Sequence, residues 1–140
     1  MVFLYAILGM FCWGLAPLFG KLGLYKVNPA TALSLRTLIA ATVVIFWLIG
    51  SRGFSQVLQV PPLFWILIAI EAILATLLGD LAYFAALKKG NINDVSMIMA
   101  CSPLITMLFS YLFLGEMIKN LQLIGAFFIT VGLVFVGMDY

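Results

Sequence analysis

Residues 63–87 read LFWILIAIEAILATLLGDLAYFAAL, 25 positions of which only Glu71 and Asp80 carry charge. A run of that length exceeds the ~20 apolar residues with which an α-helix crosses the hydrocarbon core of a bilayer. Four further apolar runs, at 2–25, 30–50, 95–114 and 121–138, fill most of the remaining 140-residue chain. Lipid offers no water to unpaired backbone groups, so each run must close its own hydrogen bonds as a helix. The fold class that follows is an all-α membrane protein with five transmembrane helices, in one domain over residues 1–140.

The composition agrees with that reading. The chain is 66% hydrophobic and 9% charged, with a mean hydropathy of +1.25, whereas soluble domains are roughly a quarter charged. A net charge of +2, scattered along the chain, gives no footprint for nucleic acid. Cys12 and Cys101 both fall inside apolar runs, which fits buried thiols better than a disulfide framework or a metal site. The chain has no histidine, no nucleophile beside an evident base and no metal-ligand spacing, so neither enzymatic chemistry nor a metal or other cofactor is expected. The first run lacks the basic n-region and small-residue cleavage site of a removable signal, and it reads as a permanent helix. A multi-pass protein of the cell (plasma or inner) membrane is expected.

The connections carry ordinary helix punctuation. Asn28 and Pro29 suit a cap followed by the first helical position, where proline loses nothing because that amide is unpaired anyway. The longest polar link is 51–60, after which Pro61 and Pro62 open the third span. Lys88 and Lys89 sit where cations favour a helix C-terminus, Gly90 suits a left-handed turn, and Asn93 or Asp94 suits the next cap.

Five spans put the two termini on opposite faces of the membrane. The count also leaves no evident internal second half to complete a pore, so the chain is expected to work within a larger assembly. Loop charges bear on the orientation. Arg52 and Lys119 lie on the side of the amino terminus, and Lys26, Lys88 and Lys89 lie on the other, together with Lys21 and Arg36 at helix ends. The full count favours an exterior amino terminus and a cytoplasmic Asp139 and Tyr140. If Lys21 and Arg36 are functional residues within helices, the balance is three against two, and insertion in both orientations is open.

The charges inside the spans are the main candidates for chemistry. Glu71 lies about eight residues into the third span, roughly 12 Å below the surface at ~1.5 Å per residue, with nothing basic at that depth on its side. Desolvation disfavours the anion there, so the carboxyl is a candidate to take up and release protons. The bland alternative is a permanently protonated acid bonded between helices. Asp80 follows nine residues later, half a turn away in ideal α geometry, so the two carboxyls form no catalytic pair. Counted from the opposite surface, Asp80, Arg36 and Lys21 fall within a few turns of one another, which allows a buried ion pair or triad. Such a cluster either binds an anionic substrate group or locks helices together, and both readings stand.

Other residues interrupt or shape the spans. Pro17 in span one, near Trp13 and Gly14, and Pro103 in span four, beside Ser102, each free a carbonyl four residues back. Bent or broken helices at the midplane are a transporter habit; a static kink is the alternative. Trp13 is too deep for an interfacial belt, whereas Trp47 and Trp65 sit where a belt belongs. Trp13 and Tyr83 are candidates to line a cavity for a cationic or aromatic ligand, with core packing as the alternative. Gly125 and Gly132 are seven residues apart, share a face of span five and suit close approach of another helix, so they are dimer-interface candidates.

Several of these elements recur together in a known family. Trp13-Gly14 with Pro17 and Lys21, then Arg36, the run from Tyr83 to Lys88, Ser102-Pro103, Leu114-Gly115-Glu116, and Gln122 to Gly125 with Ile129 and Gly132 resemble the EamA domain of the drug/metabolite transporter superfamily over essentially the whole chain. The resemblance implies a secondary transporter with its cavity lined mainly by spans one to four, and Leu114-Gly115-Glu116 as a structural corner that Glu116 caps or braces. Family members typically carry two such domains in inverted orientation, whereas this chain has one, a half-transporter. Small multidrug resistance proteins, shorter relatives, work as antiparallel dimers, with their coupling glutamate in the first helix rather than the third.

The function expected is secondary-active transport, as an exporter, of a small metabolite, drug or cation. The partners expected are a small-molecule substrate, protons, the lipid bilayer, and a second copy or a homologous half-transporter. A non-transporting assembly subunit and a component of a lipid-linked sugar flippase are the alternatives.

Overall fold

The computed structural model describes residues 2–51 and 53–138. Arg52, Asp139 and Tyr140, named above for their bearing on orientation, lie outside the described residues. Five helices are long and apolar enough to cross a membrane: Val2–Gly23, Pro29–Gly50, Pro62–Lys89, Ile92–Leu114 and Asn120–Met138. Among the described residues there is no strand. The chain divides into two compact units, Met1–Lys89 and Gly90–Tyr140.

In the first unit, α1 (Val2–Gly23) runs unbroken through Pro17. The helix α2 (Pro29–Gly50) starts as its sequence dictates: the Asn28 side chain accepts from the Ala30 amide at 3.2 Å, and Pro29 takes the first position. A short helix, α3 (Phe54–Leu58), lies within the 51–60 link, a feature the polar composition of that link does not announce.

The third span is composite. It begins as α4 (Pro62–Ala72), passes through a π-helical segment, Ile73–Gly79, and resumes as α5 (Asp80–Lys89). A π segment bonds each amide one residue further back than an α-helix does, and such segments concentrate at functional sites. It also winds less per residue, so the half-turn between Glu71 and Asp80 expected from uniform α geometry does not carry over.

In the second unit, α6 (Ile92–Met99) is capped by Asn91, whose side chain accepts from the Asn93 amide at 2.9 Å. The cap is therefore Asn91 rather than Asn93 or Asp94. Gly90 does not adopt the left-handed conformation; among the described residues that conformation belongs to Gly115, at φ 67°. The fourth span breaks at Ala100 and Cys101, then continues as α7 (Ser102–Phe109) and a second π segment, Ser110–Leu114. Pro103 accordingly sits in the first turn of a new helix, where its missing amide costs little, rather than in a mid-helix kink. The last span is α8 (Asn120–Met138), and Gln122 accepts from the Lys119 amide at 2.8 Å to close its first turn.

Burial is sparse. In the first unit α5 packs against α2 and α1, and Leu24, Leu33, Phe84 and Leu87 are buried. In the second unit α6 packs against α8. Most other large apolar side chains are exposed, Phe3, Phe46 and Phe135 among them. In water such a surface would drive aggregation. Lipid tails solvate it, and helix association then rests on close packing and polar contacts.

Candidate functional site

The most concentrated chemistry lies on one face of α5. Arg36 stands about two turns into α2, roughly 10 Å from its start. Its Nη2 donates to Oδ2 of Asp80, the first residue of α5, and the two form an ion pair. Phe84 follows Asp80 by four residues, which places both on the same helix face. The Arg36 guanidinium carbon lies 5.3 Å from the Phe84 ring centroid, a cation–π contact. The carboxylate and the ring thus hold the guanidinium from two sides. Asp80 is 23% exposed and Arg36 48% exposed, so half of a cation well inside an apolar span remains open.

Neighbouring bonds fix this face. Gly20 of α1 comes so close that a Cβ there would lie 3.3 Å from Cε1 of Phe84 and 3.5 Å from Cδ2 of Leu87. One residue on, Lys21 Nζ donates to the Leu87 carbonyl. That carbonyl belongs to the last turn of α5, where acceptors lack intrahelical partners and the helix dipole favours a cation. Lys88 Nζ in turn donates to the Val27 carbonyl at 2.9 Å, tying the end of α5 to the loop between α1 and α2. The Tyr83 ring lies 6.0 Å from that of Phe84. Arg36, Asp80, Lys21 and Tyr83 are therefore grouped on or against α5, with Arg36 and Asp80 as the ion pair.

Other candidates stand elsewhere in this unit. Glu71 is exposed in the last turn of α4, just before the π segment, and among the described residues no basic side chain pairs with it. Trp13 is 81% exposed, one turn before Pro17.

In the second unit, Ser102, Pro103, Ser110, Glu116, Gln122 and Gly125 are among the residues that line a groove of about 550 Å³ between α7 and α8. At its end Ser110 Oγ donates to the Glu116 carboxylate, and the Glu116 amide donates back to the Ser110 carbonyl at 3.4 Å. The left-handed Gly115 makes this reciprocal corner possible. A Cβ at Gly125 or Gly132 would meet nothing within 4 Å. No group of three or more histidine, cysteine or acidic side chains able to hold a metal occurs among the described residues.

Two contributors escape a reading of the residues alone. The contact of Phe84 with Arg36 is signalled only by its four-residue spacing from Asp80. Ser110 is signalled only by the hydroxyl repeat Ser102, Thr106, Ser110, also at intervals of four.

Five apolar helices with an ion pair set within two of them define a multi-pass membrane protein. The chain belongs to the EamA-like transporter family, whose model matches residues 1–138. It is 30% identical over 118 residues to an uncharacterized transporter in the cobO 3' region of Sinorhizobium sp., covering 84% of this chain and 83% of that protein. It is 26% identical over 131 residues to the riboflavin transporter ImpX of Fusobacterium nucleatum, covering 94% of this chain and 44% of that protein. An uncharacterized transporter of Synechocystis sp. is 25% identical over 103 residues, 72% of this chain and 30% of its own length. The chain thus spans most of the Sinorhizobium protein but less than half of the other two. No solved structure matches it.

Proposed function

We propose that the chain is a half-transporter of the cell (plasma or inner) membrane, acting over residues 1–140 as one EamA-like domain. It exports a small metabolite by secondary-active, proton-coupled alternating access. Two copies in antiparallel orientation, or one copy and a homologous half, supply the inverted symmetry typical of the family. Catalysis and bound cofactors form no part of this reading.

The observation that supports it most is the Arg36–Asp80 pair, half open within the apolar spans of a transporter-family chain. Charged groups inside membrane spans characteristically face a water-filled cavity or the bundle interior and mark substrate pathways. Glu71 is the proposed proton-exchanging group, because its carboxyl stands in an apolar helix without a basic partner among the described residues. Trp13 and Tyr83 line the cavity, Pro17 and Pro103 allow the helices to bend or part, and Ser102 presents polar atoms at the break in span four. Gly125 and Gly132 form the surface on which the second copy rests.

The loop charges support two orientations. Lys21 lies within α1 and Arg36 within α2, and this reading sets both aside from the loop count as functional residues of the spans. Three cations then stand against two.

The test is transport in reconstituted vesicles across a range of pH. Wild-type transport should vary with pH, and Glu71→Gln should retain substrate binding while losing that dependence. Unchanged coupling in the variant would remove Glu71 from the mechanism.

A second reading, a non-transporting assembly subunit, draws on the bonds of Lys21 and Lys88 to backbone carbonyls, which lock helices without requiring a ligand. Absence of transport by the chain, alone and with a homologous half, would favour it.

A further inference from the structure

The guanidinium of Arg36 is used on one side only. It carries five N–H donors in a planar fork, yet the structure gives it a single hydrogen bond, from Nη2 to Asp80. One face of the plane lies over Phe84, and 48% of the side chain is exposed. An open guanidinium edge about two turns inside a membrane helix is costly against lipid. It is well suited to a planar oxyanion, which it can grip with two parallel bonds.

We propose that the edge of Arg36 left open by Asp80 binds the carboxylate of the transported metabolite, with Asp80 and Phe84 as positioning residues that hold the guanidinium plane. The proposal rests on the transporter reading above and narrows it to substrates with a carboxylate end. Phe84 fixes the plane, Asp80 fixes its rotation, and the substrate carboxylate takes the remaining fork. Because Asp80 is itself negative, it weakens the incoming anion's hold, which keeps the site releasable.

The test uses the full chain in phosphatidylcholine nanodiscs, titrated calorimetrically with lactate, benzoate and leucine and with their amides, lactamide, benzamide and leucinamide. At least one carboxylate should bind saturably and at least tenfold tighter than its amide. Asp80→Asn should tighten that binding several-fold, and Phe84→Leu should weaken it several-fold. Arg36→Gln strands Asp80 and can unfold the chain, so the Arg36→Gln/Asp80→Asn double variant, which removes both charges, is titrated beside it. The double variant should stay folded and lose carboxylate binding at least tenfold.

Equal binding of acid and amide, no binding of any of the three acids, or undiminished binding in the double variant would each overturn the proposal. Loss of carboxylate binding when phosphatidylglycerol is added to the discs would also overturn it, by assigning the edge to a lipid headgroup. Failure of the transporter reading looks different: carboxylates would bind through Arg36 while vesicles carried nothing. Conversely, transport of a neutral or cationic compound, undiminished in the double variant, would leave the transporter standing and remove this site.

Discussion

Gly20 and Phe84 meet closely across α1 and α5: a Cβ at Gly20 would lie 3.3 Å from the ring, which would have to give by a few tenths of an ångström to accept it. Phe84 also carries the Arg36 guanidinium, so crowding at Gly20 disturbs the ion pair through the ring. Gly20→Val should destabilise the protein by about 1–3 kcal/mol, the usual cost of overpacking. Gly23→Val, in the same helix but with open space around its Cβ, is the control and should cost much less. Thermal unfolding in detergent, followed by near-ultraviolet circular dichroism, compares the two.

The Arg36–Asp80 pair should behave asymmetrically. Asp80 is the more buried partner, so Arg36→Gln strands a covered carboxylate, whereas Asp80→Asn leaves a guanidinium that is half open and still supported by Phe84. Arg36→Gln should therefore lower stability more than Asp80→Asn, and the double variant should recover part of the loss. A double-mutant cycle should give a coupling of about 1 kcal/mol, at the weak end because one partner is half exposed. Equal losses that simply add would contradict the geometry.

What was readable in advance follows the range of the forces involved. The spans were legible because length and hydropathy suffice for a membrane helix, and the Asn28–Pro29 start was legible because capping is local. Matching depths across three spans allowed an ion pair or triad among Arg36, Asp80 and Lys21, and the structure pairs Arg36 with Asp80. The π segments were not legible: whether an amide bonds five residues back instead of four depends on packing that composition does not encode. Asn91, Asn93 and Asp94 compete for one cap, and the path of the preceding backbone chooses among them. Phe84 looked like any apolar helix residue until Arg36 was found above it. The role of Glu116 as a brace was implied by family resemblance, but its partner Ser110 depends on the left-handed turn at Gly115.

That corner gives a further prediction. With φ at 67°, Gly115→Ala forces a side chain into the left-handed region at about 1–2 kcal/mol. Gly115→Asn should cost less, because asparagine tolerates that conformation. Glu116→Ala removes the acceptor of the Ser110 hydroxyl and should destabilise the second unit without altering the Arg36–Asp80 pair. Hydrogen exchange of the Ser110 to Lys119 amides, alongside melting curves, checks both.

Membrane orientation offers an independent check. Reporter fusions at each end should give signal on both sides of the membrane, because loop cations stand at three against two. Lys88→Gln together with Lys89→Gln should shift the population toward one orientation, whereas Arg36→Gln should leave it unchanged because Arg36 is held by Asp80 within the spans. A single orientation in wild type would exclude the antiparallel homodimer and leave pairing with an oppositely inserted homologue.

The π segment Ile73–Gly79 stands between the two carboxyls of the third span. Wide turns of this kind hold slack that a regular α-helix lacks. A one-residue deletion inside the segment can be absorbed by tightening it toward α geometry, leaving α4 and α5 each in its own register. The same deletion inside α5 has no such reserve, and it would rotate Asp80 away from Phe84 and dismantle the cradle of Arg36. The span therefore divides into a stretch where length can drift over evolutionary time and one where every residue is counted.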